Sequence, residues 1–170
     1  MKSILIAALI LILTSCSDEP EKYPPMDINK IQEHLLEANK RATTKEAIQI
    51  EDYIQLKGIT ALKTQTGLRY QIYKDLEGKP IAKGQLAVVN YTVTLLNGKE
   101  CYATKDKVED FIVGKDYVET GLHEGIQLMS VGDQAILILP SHLAHGLAGD
   151  LKEIPFRSTI VYDIKLVAIK

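Results

Sequence analysis

The feature that most narrows the fold is a change of period at Gly67. Upstream of it, apolar residues recur every three or four positions; downstream they fall on every second one. Leu68, Tyr70 and Ile72 alternate with Arg69, Gln71 and Tyr73. Ala87, Val89, Tyr91, Val93 and Leu95 share one predicted strand face, with Asn90, Thr92 and Thr94 on the other. Asn97-Gly98 follows as a hairpin signal, and a type I′ turn is expected there because it needs positive φ at both positions. Further strands are expected around 111–113, 134–139 and 159–168. One helix interrupts them, with Val118, Gly121, Leu122, Gly125 and Met129 at helical spacing. Each interior glycine costs about 1 kcal/mol against alanine. Two on the apolar face imply a helix lying too close to a sheet for side chains to fit. The expected class is α+β, an antiparallel sheet folded over one short helix.

Ahead of Gly67 two amphipathic helices are expected. Asp27 stands where an N-cap should, followed by Ile28, Ile31, Leu35 and Ala38. Thr43-x-x-Glu46 forms a capping box for a second helix, with Ala47, Ile50 and Ile54 on one face and Gly58 as its stop. Short helices are marginal alone in water, so these stripes must pack on something. The domain behind them and a second copy of the chain are both open, the latter giving a homodimer.

The amino terminus reads as an address. Met1-Lys2, an apolar run over 4–13 and the small residues Thr14-Ser15-Cys16 make a secretory signal. The run is short of the roughly 20 residues that span a bilayer. Leu13-Thr14-Ser15-Cys16 resembles a bacterial lipobox, in which Cys16 becomes the lipidated first residue; an ordinary signal peptide with a chance cysteine is the alternative. Residues 17–25 are acidic and proline-rich, a stiff tether. The expected divisions are 1–15 signal peptide, 16–26 anchor and tether, 27–62 helical extension and 66–170 strand-rich domain. The expected location is the envelope of a Gram-negative bacterium, held to a membrane through Cys16.

Of the 170 residues, 46% are hydrophobic and 25% charged, with net charge −2, and no basic block occurs. Nucleic-acid binding by phosphate neutralisation is therefore excluded as an expectation. Two cysteines cannot make a disulfide scaffold. No G-x-S-x-G elbow, P-loop or dinucleotide fingerprint is present. His142-x-x-His145 has metal-like spacing but sits in a loop without a matching donor set, so no metal is assigned. Asp133, Ser141 and His145 could be drawn as a triad, as similar letters could in most proteins. Cys101 follows the Asn-Gly turn and reads as a small packing residue.

What remains is an ordered set of landmarks. Val89-Asn90-Tyr91-Thr92, Asn97-Gly98-Lys99 and Phe111-Ile112-Val113-Gly114-Lys115 come first. Gly121-Leu122-x-Glu124-Gly125-Ile126-x-Leu128-Met129-Ser130-Val131-Gly132 follows, then Leu139-Pro140, Leu143-Ala144-His145-Gly146, Ile154-Pro155 and 159–166. This pattern, from about Gly67 to Ile169, resembles the FKBP-type peptidyl-prolyl cis-trans isomerases. The resemblance implies an apolar pocket that receives proline-containing polypeptides, and no cofactor. It implies Tyr91, Tyr102 and His145 at the catalytic positions, and Cys101, Phe111, Val118, Glu119, Leu122, Ile154 and Tyr162 as substrate-binding residues. Within that set the backbone N–H of Glu119 and the side chain of His145 are expected to hold substrate carbonyls.

Some positions depart from the family pattern. Cys101-Tyr102 stands where Phe-Asp is usual, His145 replaces the tyrosine of Ala-Tyr-Gly, Glu109 falls near an aromatic position and Glu119 at an aliphatic one. The expected function is isomerisation of X-Pro bonds during folding of exported proteins. A non-catalytic peptide-binding lipoprotein, or a component of an envelope motility or secretion complex, is the alternative.

Overall fold

The structure, a computed structural model, describes residues 27–170. The expected signal peptide, Cys16 and the tether lie outside the described residues. The described residues divide between Ala38 and Asn39, and residues 39–170 form a compact unit.

Seven strands build one antiparallel sheet: β1 (Leu62–Lys63), β2 (Arg69–Lys74), β3 (Leu86–Leu95), β4 (Glu100–Ala103), β5 (Glu109–Ile112), β6 (Gln134–Leu139) and β7 (Ile160–Ile169). Their order is β1-β2-β6-β7-β3-β4, with β5 also paired to β3. The longest strands, β3 and β7, run side by side from Ala87↔Ile169 to Leu95↔Ile160. A 30-residue helix α1 (Ile28–Lys57) precedes the sheet and a short α2 (Thr120–Ile126) interrupts it. The expected α+β class, with the sheet folded over one short helix, is the observed one.

Alternation along β6 decides which face meets which helix. Ala135, Leu137 and Leu139 join the main core with Leu122 and Ile126 of α2, whereas Ile136 and Ile138 face the other way. A Cβ on Gly121 would stand 2.6 Å from Leu139 Cγ, and one on Gly125 would stand 2.6 Å from Leu137 Cδ1. The two glycines thus let α2 lie directly on β6.

The opposite face of β6 and β7 is covered by the carboxyl half of α1. Ile50, Ile138 and Val161 form a second buried cluster, flanked by Tyr53, Ile54, Ile59, Leu96 and Ile136. Polar ties reinforce it. Glu46 Oε1 accepts hydrogen bonds from Ser141 N and Thr159 Oγ1, both at 2.7 Å, and Oε2 accepts from Ser141 Oγ at 2.9 Å. Arg69, 4% exposed, donates through Nε and Nη2 to Glu51 Oε1. Fully burying an isoleucine contributes about 1.5–3 kcal/mol, and a buried donor left unpaired costs about 1–3 kcal/mol. Residues 39–57 are therefore part of the folded domain rather than an appendage to it.

Two local expectations need correction. In place of two helices the chain forms one. Asp27 caps it as expected, its Oδ1 accepting from the N–H groups of Asn29 and Lys30. Gly58, at φ +65°, ends it in a Schellman closure, with Ile59 N donating to Ile54 O and Gly58 N to Gln55 O. The capping box at Thr43 does not form. The Thr43 and Thr44 hydroxyls instead donate back to Asn39 O and Lys40 O, and Glu46 is taken by Ser141 and Thr159. With no glycine or proline between 28 and 57, nothing stops the helix.

The hairpin after β3 is not type I′. Only Gly98 has positive φ (+85°), and its N–H donates to Leu95 O while Leu95 N donates to Lys99 O. Asn97 instead accepts from Lys99 N through Oδ1. A three-residue loop closed by glycine satisfies the same Asn-Gly letters.

Candidate active site

A cleft of about 700 Å³ opens between β3, β4, β5, β7, the start of α2 and the loop after Ser141–Leu143. That volume is in the range of small-ligand sites. Its floor is apolar, made by Val89, Phe111, Leu122 and Tyr162, all at most 5% exposed. The rings of Tyr91 and Tyr162 meet edge to face, centroids 5.4 Å apart.

Strand alternation and the turn into α2 place these side chains. Tyr91 of β3 and Tyr162 of β7 point to one face because Val93 pairs with Tyr162 and Tyr91 with Ile164. Phe111 is braced by His123 of α2, ring centroids 5.6 Å apart. His123 Nδ1 accepts from Gly114 N at 2.9 Å, so Nε2 carries the proton and donates to Asp116 O. That imidazole holds the 112–118 turn, which brings Val118 and Glu119 to the cleft.

Of the residues expected at the site, Tyr91, Tyr102, Phe111, Val118, Glu119, Leu122, His145 and Tyr162 line this one cleft. Cys101 and Ile154 do not. Ile154 is 2% exposed in the main core, and Cys101 Sγ lies near Lys99 O and Glu153 O. Burial pushes the Cys101 thiol up, so it stays protonated rather than nucleophilic. The remaining pairings on paper separate in space. Asp133 accepts from Leu76 N and Ser130 N, Ser141 is held by Glu46, and His142 Nε2 meets Thr66 O while His145 turns to Glu119.

The pocket expected to be apolar also carries charge: four carboxylates, Glu109, Asp110, Glu119 and Asp150, line the cleft. Glu119, its side chain only 12% exposed, takes His145 Nε2 on Oε1 at 2.9 Å and the Tyr162 hydroxyl on Oε2 at 3.1 Å. Glu109 accepts from the Tyr91 hydroxyl at 2.7 Å. Asp150 accepts from the Tyr102 hydroxyl. The hydroxyls of Tyr91, Tyr102 and Tyr162 thus each donate to a carboxylate, and His145 Nε2 is committed to Glu119 rather than left free for a carbonyl. The Glu119 backbone N–H, by contrast, has no partner among the described residues.

The electrostatics follow. Burial first, then the Glu119 charge, raises Tyr162 well above the usual phenol value. Burial and the Glu109 bond raise Tyr91 likewise. Tyr102 is raised mainly by its bond to Asp150. Burial alone would raise Asp150, but the Tyr102 hydroxyl, the Lys152 and Ile154 N–H groups and His145 outweigh it and bring it to about 2. Asp150 escaped sequence reasoning, since no local pattern marks a carboxylate that works across 48 residues. Glu109 stands out in the sequence only as a departure from the family pattern, and Glu119 for its backbone N–H rather than for its carboxylate.

Arranged this way, the cleft has a buried apolar floor, the free backbone N–H of Glu119 at its edge and no activated nucleophile. It can hold and reshape a chain segment without attacking it.

Comparison with known proteins agrees with this geometry. Residues 77–167 match the family description "FKBP-type peptidyl-prolyl cis-trans isomerase". The chain is 33% identical over 120 residues to the FKBP-type peptidyl-prolyl cis-trans isomerase FkpA of Escherichia coli (strain K12), covering 71% of this chain and 43% of that protein. It is 34% identical over 102 residues to FK506-binding protein 1 of Debaryomyces hansenii, covering 58% of this chain and 91% of the relative. The crystal structure of Escherichia coli FkpA superposes with a TM-score of 0.65 at 28% identity, over 88% of this chain and 74% of that one. The chain therefore spans less than half the length of the FkpA protein it matches.

Proposed function

The chain belongs to the FKBP-type peptidyl-prolyl cis-trans isomerase family, and on that premise we propose that it catalyses rotation about X-Pro bonds in polypeptide segments laid across the cleft. The observation that carries the reading is the convergence of Tyr91, Phe111, Val118, Leu122 and Tyr162 on one concave floor beside the unpaired N–H of Glu119.

Peptide-bond rotation faces about 18–20 kcal/mol because amide resonance must be broken. The twisted amide has lost resonance and part of its dipole, so a dry apolar floor favours it over the planar, better-solvated ground state. The Glu119 N–H can hold a neighbouring carbonyl throughout, and no bond to the protein forms or breaks. Tyr91 and Tyr162, locked by Glu109 and Glu119, supply ring faces for the proline rather than protons.

The proposed division of labour places the isomerase in 66–170, with 27–62 as its helical lead. Residues 1–15 act as an export signal and Cys16 as a lipid anchor followed by the tether. Several acyl chains at about 0.8 kcal/mol per buried methylene would hold the protein on an envelope membrane. Its substrates there would be exported polypeptides.

The test is a proline-tetrapeptide isomerisation assay on the full chain, run across several residues before the proline. We expect rates above the uncatalysed 10–100 s relaxation; equality with that relaxation for every peptide would remove the enzymatic reading. The carboxylates in the cleft favour one alternative, a peptide-binding module without turnover. Tight binding of the same peptides with no rate gain would identify it.

A further inference from the structure

One wall of the cleft is the loop bearing Ala148, Gly149, Asp150 and Lys152, and the wall made by β4 includes Tyr102. The loop is wound around a single carboxylate. Asp150 Oδ1 accepts from Lys152 N at 2.9 Å and from Ile154 N at 2.8 Å, while Asp150 N donates to Ile154 O at 3.1 Å. Its Oδ2 takes the hydroxyl of Tyr102, joining the loop to β4. The winding is strained. Leu151 sits at φ +62° with its side chain 89% exposed, so it gains no burial there. A left-handed conformation is disfavoured for leucine because its Cβ crowds the following carbonyl oxygen. Gly149 lies at φ +70°, and a Cβ on it would stand 2.3 Å from Ile154 O. Strain of this kind persists only where surrounding bonds hold it. Glu153 adds ties of its own, its N–H toward the Tyr102 hydroxyl, its carbonyl toward Cys101 Sγ at 3.7 Å and its carboxylate to Lys99 at 2.7 Å, the last between two half-exposed side chains and so holding little.

The geometry points to Asp150 as a positioning residue that sets the width of the cleft by clasping the 148–154 loop to Tyr102. It acts through Tyr102 and the loop backbone, and its effect falls on substrate binding rather than on the rotation itself. The low pKa of Asp150 keeps the clasp ionised across the range in which the protein would work. This inference rests on the isomerase reading for its kinetic form, but not for its binding form.

The experiment compares full-chain Asp150→Ala, Asp150→Asn, Tyr102→Phe and the double Asp150→Ala/Tyr102→Phe, with thermal unfolding as a control. Asp150→Ala should raise KM about tenfold with kcat within about twofold. Asp150→Asn, whose amide oxygen still accepts from the same N–H groups, should recover much of the loss. The double variant should be no worse than Asp150→Ala alone, since the two residues act as one clasp. Additive losses, or a fall in kcat at unchanged KM, would overturn the proposal. Should Asp150→Ala fail to fold, Asp150→Asn against Tyr102→Phe carries the same comparison. A fluorescent proline peptide titrated onto each variant reads the clasp independently: wild type that binds but does not turn over defeats the isomerase reading alone, and unchanged affinity in the variants defeats the clasp alone.

Discussion

In the cleft, Tyr91, Tyr102 and Tyr162 each donate a hydrogen bond to a carboxylate, and Tyr73 does the same to Asp163 at 2.7 Å. Burial and Asp163 push Tyr73 up to about 12, and the cleft phenols rise as well. In an unfolded chain a phenol ionises near 10. The stabilisation from these raised groups is therefore complete below about pH 10 and is lost as pH climbs from there through the folded values. Chemical unfolding midpoints should fall steeply above about pH 10, and tyrosinate absorbance should show a late-titrating set released only on unfolding. Glu119→Gln removes a charge that raises Tyr162 and, less strongly, Tyr91, so these phenols should then titrate earlier; an unchanged titration curve would contradict the pairing. None of these partners was legible from spacing. Glu119 stood out as a letter, but only the fold brings Tyr162 to it from 43 residues away.

Among the elements, α2 depends on what its glycines leave out. Alanine gains about 1 kcal/mol over glycine inside a helix, yet overpacking a core costs about 1–3 kcal/mol. At Gly125 the obstructing atom is a methyl at the tip of Leu137, which can swing away. At Gly121 a Cβ would meet Leu139 Cγ at 2.6 Å and Leu143 Cβ at 3.0 Å, atoms tied to their backbones. Gly121→Ala should therefore lower the unfolding temperature and loosen the wall near Val118, while Gly125→Ala should be nearly neutral. Differential scanning calorimetry of the two variants checks the order, and an equal loss at both would show that Leu137 cannot move. This element was readable in advance, because two glycines on an apolar stripe have few other uses. Helix α1 was not, because capping letters such as Thr43 and Glu46 also suit a continuous helix whose glutamate is claimed from outside.

At the scale of the molecule, the functional cleft depends on a domain that begins before the sheet. Glu46 of α1 holds Ser141, just ahead of the segment that carries His145 into the cleft. Ile50 seals the far face of β6 and β7. A chain starting at Asn39 should keep its unfolding temperature, since the compact unit is complete from there. A chain starting at Gly58 loses Ile50, Ile54, Glu46 and Glu51 together. Against a typical total stability of about 5–15 kcal/mol, that loss should leave it unfolded or aggregated, as circular dichroism and light scattering would report. Equal melting of the two truncations would mean that the sheet needs no cover on that face.

The amino-acid order alone determined the strands, the aspartate cap of α1, its glycine stop and the close seating of α2, because each follows from sterics or hydrogen bonds within a few residues. Only the tertiary structure decided that two helical stretches would fuse, that the cleft would carry carboxylates, and that Asp150 would reach Tyr102. Those outcomes turn on hydrogen bonds between groups 18 to 113 residues apart, such as Tyr91 to Glu109 and Thr159 to Glu46. Which acceptor a donor finds at that range depends on where the folded backbone brings the two together, and no local pattern encodes it.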